Sequence, residues 1–270
     1  MNHPKVTVIT VCYNAAAEVE DTMRSVLNQT YDNLEYIIID GASTDNTLSI
    51  IKATSAEYPH ANVVIKSEPD KGIYDAMNKG IDIATGQWIN FMNVGDSFVE
   101  KETLASFFEA ADTQAPNDLL YGDTIMKYPF GSYYKDCRPG GKFAWFCHQS
   151  MFVRSEVMKK YHFDIQYTIA ADLNFLIQVQ RAGHKRVYCP KLVSVYKHYD
   201  GLSSSPVNWR KKRMELYLIE GNRKDLHYYS LAFKYLLQKY LHIRNYRINF
   251  EEKILKEVES DPRMRKIAYE

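Results

Sequence analysis

The sequence has only four cysteines in 270 residues, Cys12, Cys137, Cys147 and Cys189, and no two of them form a C-x-x-C pair. That scatter excludes a disulfide framework and a thiolate zinc site, and it points to reduced thiols in a cytosolic compartment. No apolar run reaches the roughly 18 residues of a membrane span. The N-terminus leads at once into Val6-Thr7-Val8-Ile9, with neither an h-region nor a cleavage pattern, so export through a signal peptide is not expected. Charge of one sign is not in excess either, with 34 basic against 33 acidic residues, and nucleic acid is not an expected partner. Two phosphate-binding fingerprints are also missing. The turn after the first apolar run carries no G-x-G-x-x-G, and no G-x-x-x-x-G-K-[ST] occurs anywhere, so a bound nucleotide would have to be held by side chains and a metal.

What is present is organised around Trp88-Ile89-Asn90-Phe91-Met92-Asn93-Val94-Gly95-Asp96-Ser97. It reads as a buried strand that delivers Asn93 and Asp96 to its carboxyl end, where open α/β sheets bind ligands. Oxygen donors on a Gly-containing turn suit a hard divalent cation that keeps waters and bridges to phosphates. An ordinary strand-to-loop turn is the plainer reading of the same residues. Residues 6–11 form a β-branched, uncharged run that predicts a central parallel strand, and residues 34–39 predict a second. Residues 63–65 predict a third. Helices are expected over 15–29, from the 41–45 loop to about 58, and over 73–84, which gives a βαβ pattern with a parallel sheet. Parallel strands put their C-terminal ends on one side, so Tyr13, Asp40, Asp70 and Asp96 are expected to meet at one pocket.

Beyond residue 100 the pattern predicts a helix over 101–111, a strand from 119 opening a more mixed, antiparallel region, and a helix in which Phe175, Leu176 and Val179 are buried. Asp172 falls in the first turn of that helix, where the helix dipole alone would favour a carboxylate. One strand or two are expected over 187–188 and 193–196. They lead into 197–205, whose composition suits a lid. From Pro206 onward the charge turns basic, with 15 Lys+Arg against 9 Asp+Glu. There Leu226, Tyr229, Phe233, Leu237, Tyr240 and Leu241 recur near helical spacing. Either this tail lies on an anionic membrane surface or it packs on the preceding domain with a solvated basic face.

Five segments together resemble family 2 glycosyltransferases of the GT-A fold, and in particular bacterial enzymes that build capsule, O-antigen and colanic-acid-type polysaccharides. They are Val8-Ile9-Thr10-Val11-Cys12-Tyr13-Asn14, Ser25-Val26-Leu27-Asn28-Gln29-Thr30-Tyr31, Ile39-Asp40-Gly41-Ala42-Ser43-Thr44-Asp45, Asp70-Lys71-Gly72-Ile73-Tyr74-Asp75-Ala76-Met77-Asn78-Lys79-Gly80 and Asn93-Val94-Gly95-Asp96. The resemblance covers residues 4–205. It implies an α/β, Rossmann-like open sheet as a GT-A domain over 1–205, followed by a basic, amphipathic helical tail over 206–270. It also implies a nucleotide-diphosphate-sugar donor, UDP-sugar favoured, a saccharide or lipid-linked saccharide acceptor, Mn²⁺ or Mg²⁺, and inversion at the anomeric carbon. The expected place of work is the cytoplasm, with peripheral contact at the inner face of the membrane through the tail.

Residue by residue, the resemblance assigns Val11, Tyr13, Asn14, Asp40, Asp70, Lys71, Gly72, Asp75 and Asn93 to the donor nucleotide. It assigns Asp96 and His198 to the metal and diphosphate, Asp172 to the general base, and His148 and Gln149 to sugar or acceptor. Asn93 and Gly95 stand where acidic residues are common in the family, which leaves one certain carboxylate in the metal motif. That thinning motivates a rival reading as a non-catalytic sugar-nucleotide-binding or scaffold subunit, against which the joint presence of Asp96 and Asp172 argues. A nucleotidyltransferase would carry a Gly-rich basic loop after the first strand, and Ala15-Ala16-Ala17 is not one.

Overall fold

A run of uncharged, mostly β-branched residues can be buried on both faces only at the centre of a sheet, and β1 (Val6–Cys12) buries every one of its residues. The computed structural model describes residues 3–111, 113, 115–139, 147–198, 206–221, 225–241 and 245–269. After β1 come α1 (Val19–Leu27), β2 (Leu34–Asp40), α2 (Thr47–Ala56), β3 (Asn62–Ser67), α3 (Ile73–Ile83) and β4 (Trp88–Phe91). β1 pairs in parallel with β2 and β4, and β2 pairs in parallel with β3. The strand order β4-β1-β2-β3 places all four C-terminal ends on one side. α1 starts at Val19 rather than at residue 15, because residues 15–18 are occupied by a turn. α3 lies hard against β1: a Cβ on Gly80 would come within 2.6 Å of Ile9 Cγ2.

The second half of the sheet is mixed. It comprises β5 (Ser97–Phe98), α4 (Thr103–Ala110), β6 (Leu119–Tyr128), β7 (Gly131–Lys135), β8 (Met151–Arg154), α5 (Ser155–Tyr161), α6 (Ala171–Arg181) and β9 (Arg186–Lys197). β8 joins the halves, antiparallel to both β4 and β6. β9 is one continuous strand running parallel to β6, across a register shift near Asp123. Its length carries the chain back to β5, where Ser97 faces Val195, so that the turn after β4 and the end of β9 become neighbours. Two buried clusters flank the sheet, one containing Phe91, Met77 and Phe175, the other Trp88, Phe107 and Phe152.

The segment after residue 205 forms α7 (Pro206–Ile219), α8 (Leu226–Leu241), α9 (Asn245–Ser260) and β10 (Met264–Ile267). β10 adds an edge to the main sheet by pairing antiparallel with β7, and Val258 of α9 packs with Met126, Tyr128 and Tyr133. The tail is therefore joined to the sheet at its far end. α8 differs, because Tyr229, Phe233 and Leu236 stand 59%, 62% and 46% exposed. Of the expected apolar row, the side chains of Leu226, Leu237, Tyr240 and Leu241 lie outside the described residues, as do residues 199–205 of the expected lid.

Candidate active site

Two adjoining cavities open beyond the C-terminal ends of β1, β3 and β4. The first, about 490 Å³, is lined by Val11 and Tyr13 from the end of β1, by Asp70, Lys71 and Gly72 ahead of α3, and by Asp75 in its first turn. Tyr13 presents its ring to solvent at 62% exposure, a flat apolar face over a polar floor. Asp70 Oδ1 accepts from the Gly72 amide at 2.7 Å, and Asp75 Oδ2 accepts from the Lys71 amide at 2.9 Å. These bonds fix the loop that opens α3. Tyr13 and Asp70 reach the cavity together because residue 41 is glycine: a Cβ there would sit 2.4 Å from Asp70 Oδ2 and 3.3 Å from Tyr13 Cδ2.

Asp40 and Asn14 have other surroundings. Asp40 is wholly buried, and its carboxylate accepts from Ser43 N at 3.1 Å, Ser43 Oγ at 2.5 Å and Ser67 Oγ at 2.6 Å. It sits beneath the cavity as a brace between β2, β3 and the 41–45 loop, and it does not line the cavity wall. Asn14, at φ +48°, clamps the same loop, accepting from Thr44 N at 2.8 Å and donating its own amide to Ser43 Oγ at 2.8 Å.

The second cavity, about 280 Å³, shares Ile73, Tyr74 and Ile169 with the first. Asn93, Asp96, His148, Gln149, Asp172 and His198 all line it. Gly95, at φ +94°, allows the tight turn in which Asp96 N donates to Asn93 O at 3.0 Å, a backbone that non-glycine residues avoid. Asp96 is buried, accepting from Gln149 Nε2 at 2.7 Å and from Lys197 N at 3.2 Å. Burial outweighs those bonds and the nearby His148 and Lys197, and the carboxyl is pushed up to about 7. Gln149 thus holds Asp96, and Asn90 in turn donates to Gln149 O at 2.9 Å.

Asp172 lies in the first turn of α6. Its Oδ1 accepts from Tyr74 Oη at 3.1 Å, and its Oδ2 is 3.6 Å from His148 Nδ1. Burial works to raise its pKa, yet His148 and the charge of Lys212 prevail and hold the carboxyl below its ordinary value. His148 reaches Asn93 Nδ2 at 3.4 Å through its other nitrogen, so the imidazole bridges the β4 turn and the acid of α6. His198 packs between Tyr128 and Tyr196, at ring separations of 5.0 and 5.4 Å. Burial, with Lys212 and Lys135 nearby, pushes it down to about 4, which leaves a neutral imidazole able to accept a bond or a metal.

The donor set for a cation is therefore thin but chemically specific. Among the described residues no three His, Cys, Asp or Glu side chains are grouped to hold a metal. Asn93 Oδ1 is nonetheless buried with no partner, and Asp96 beside it is short of compensating positive charge. One carboxylate, one amide oxygen and a neutral imidazole fit an ion that takes the rest of its shell from water and a phosphate ligand. They do not make an all-protein cage.

Several further residues build the site, and all of them except Tyr74 lie outside the five sequence segments. Tyr74 hydrogen-bonds Asp172 and also Ile169 O at 3.1 Å. Lys211 and Asn208 of α7 line the first cavity, and Lys212 of α7 and Lys135 of β7 line the second. Glu215 of α7 accepts four bonds, from Thr168 N, Ile169 N and Ala170 N at 2.9 Å each and from Thr168 Oγ1 at 3.0 Å. It thereby fixes the chain just ahead of α6. Nothing in the local sequence marks the α7 positions, because the packing of α7 on α6 is a tertiary fact.

Comparison with known proteins bears on the family and the fold. The family model described as Glycosyl transferase family 2 matches residues 7–188. The chain is similar to a PGL/p-HBAD biosynthesis glycosyltransferase of Mycobacterium bovis (strain BCG / Pasteur 1173P2), at 31% identity over 218 residues covering 77% of this chain and 82% of that protein. Among solved structures it is similar to the mannosyltransferase PcManGT of Pyrobaculum calidifontis in complex with GDP-Man and Mn²⁺. There the TM-score is 0.65 at 20% identity, over 97% of this chain and 76% of the other. It is also similar to S. aureus TarS 1-349 in complex with UDP-GlcNAc, with a TM-score of 0.61 at 17% identity over 87% and 73%.

Proposed function

From the premise that the chain belongs to glycosyl transferase family 2, we propose that it moves a sugar from a nucleotide-diphosphate donor, a UDP-sugar first among those to test, to a saccharide hydroxyl with inversion. The observation that carries this reading is Asp172, an acid in the wall of the second cavity, bonded to the shared Tyr74 and held below its ordinary pKa by His148 and Lys212. The first cavity takes the nucleoside, with Tyr13 stacking on or flanking the base and Asp70 at the nucleoside. The diphosphate then runs toward Asn93 and Asp96. In the reaction the acceptor oxygen bonds to the anomeric carbon as its proton passes to Asp172, and the sugar–phosphate bond breaks to release nucleoside diphosphate. Attack from the face opposite the leaving group inverts the centre. Tyr74 and His148 orient Asp172. A divalent ion at Asp96, Asn93 and His198 would neutralise charge on the diphosphate. Gln149 serves by fixing Asp96.

Residues 1–205 supply the base and most of the donor site, and the segment 206–270, helical apart from β10, adds Asn208, Lys211 and Lys212 to its walls. Among the described residues no helix is long and apolar enough to cross a membrane. We place the enzyme at the cytoplasmic face of a membrane, held there by the exposed Tyr229, Phe233 and Leu236 of α8, with a lipid-linked saccharide as acceptor. A thermal-shift panel of nucleoside diphosphates and their sugars, with and without Mn²⁺, tests the donor reading. Stabilisation by one base, reduced in Asp96→Ala, supports it by mass action. No shift with any nucleotide would overturn it.

A further inference from the structure

The donor motif is poor in negative charge for a metal, and the same cavities are rich in positive charge, of which only Lys71 lies in the family segments. Lys211 and Lys212 of α7 supply part of that charge, beside Lys135 and Lys197. Asn208, Lys211, Lys212 and Glu215 follow one another at spacings of three, one and three, which on a helix places them on one face. The face is turned to the site. Asn208 and Lys211 line the first cavity, Lys212 lines the second, and Glu215 is 7% exposed with its carboxylate bound to the chain ahead of α6. α7 is held from the other side as well, where the Lys253 ammonium of α9 lies 4.0 Å from the centre of the Trp209 ring. A helix anchored in this way holds its lysines over the site at little further entropic cost on binding.

Among the described residues no carboxylate pairs with Lys211 or Lys212, whereas Lys197 of the second cavity is 2.9 Å from Glu18. The charge of Lys212 is felt at Asp172 and at His198, which puts it beside the reacting centre. The two lysines therefore straddle the junction between nucleoside cavity and reaction cavity. On the proposed donor orientation, that junction is where a diphosphate crosses.

We propose that α7 is an anion clamp for the donor diphosphate, with Lys211 and Lys212 supplying charge that the thinned metal motif does not. The clamp rests on the reading of the two cavities as a sugar-nucleotide site. Phosphate oxygens carry their charge wherever the metal sits, so two ammonium groups would offset part of it in the ground state and more as the leaving group departs.

The test compares wild type, Lys211→Gln, Lys212→Gln and the double variant for binding of UDP and GDP by calorimetry, in EDTA and in Mn²⁺. Uridine and guanosine binding is followed by ligand-observed NMR, and the ligand-free melting temperature checks folding. The expected result is a loss of about tenfold or more in diphosphate affinity in the double variant, larger in EDTA than in Mn²⁺. Nucleoside affinity and ligand-free melting temperature stay the same, and Lys212→Arg restores binding where Lys212→Gln does not. Equal diphosphate affinity in wild type and double variant overturns the clamp and leaves the transferase reading intact. A wild type that binds neither UDP nor GDP overturns both. Equal loss of nucleoside and diphosphate binding also overturns the clamp, because it would mean that the lysines shape the cavity without meeting phosphate.

Discussion

Replacing Asp96 by asparagine should make the ligand-free protein gain stability, relative to wild type, as the pH rises. Burial lifts the Asp96 carboxyl from an ordinary 3.8 to about 7, so between those values the folded protein holds a proton that the unfolded chain has released. Stability from this group is complete below the unfolded value and is lost as the pH climbs through 7. From pH 5 to pH 8 about two pKa units of that difference are removed, or about 3 kcal/mol for the wild type. At this chain length that corresponds to roughly 5–10 °C in melting temperature. The asparagine side chain cannot ionise, so the variant's own curve should lack the fall. The amide offers one acceptor where Gln149 Nε2 and Lys197 N now use two, which costs about 1–3 kcal/mol at every pH. The slope, and not the absolute level, is therefore the diagnostic. Urea titrations in EDTA at half-unit intervals across this range would measure it. Parallel curves for wild type and variant would refute the claim that the site holds an undercompensated acid. Mn²⁺ with a bound nucleotide should restore the wild type at pH 8 and leave the variant unmoved.

Three further outcomes follow from contacts already described. Gly41→Ala drives a Cβ into Asp70 Oδ2 and against Tyr13, so donor KM should rise about tenfold with kcat little changed in steady-state kinetics. Glu215→Ala strands the amides of Ile169 and Ala170 and should cost about 3 kcal/mol in urea unfolding, with Glu215→Gln recovering part of it. Phe233→Glu with Leu236→Glu removes two exposed apolar groups of α8 and should abolish co-sedimentation with anionic vesicles while leaving nucleotide binding unchanged.

The four parallel strands were legible because each is a short, mostly apolar run bounded by turn residues, and β1, β2 and β4 are buried throughout or nearly so. β3 is the edge strand and alternates in exposure, which left it the faintest in sequence. The end of α1 was within reach, but its start was not, since Ala15-Ala16-Ala17 has helical composition while the residues form a turn. In sequence β9 could be one strand or two, because Pro190 and Lys191 interrupt its apolar pattern, and parallel pairing with β6 carries it across the bulge as one. The strand ends pointed to the polar side chains now around the two cavities. Sequence could not show that Asp40 is sealed by Ser43 and Ser67, since a carboxylate after a strand looks the same whether it faces a ligand or a hydroxyl. Nor could it show that β10 returns to β7 or that one face of α7 meets the site. Those depend on where a basic helix lands.

The most direct measurement is release of nucleoside diphosphate from UDP- and GDP-sugars, with Mn²⁺ present, by wild type and by Asp172→Asn. Water stands in for the acceptor. With Asp172 as the base, the variant should bind donor as the wild type does and turn it over about 10²–10⁴-fold more slowly. A variant that turns donor over at the wild-type rate, or a wild type that binds donor and never releases nucleoside diphosphate, would contradict the account.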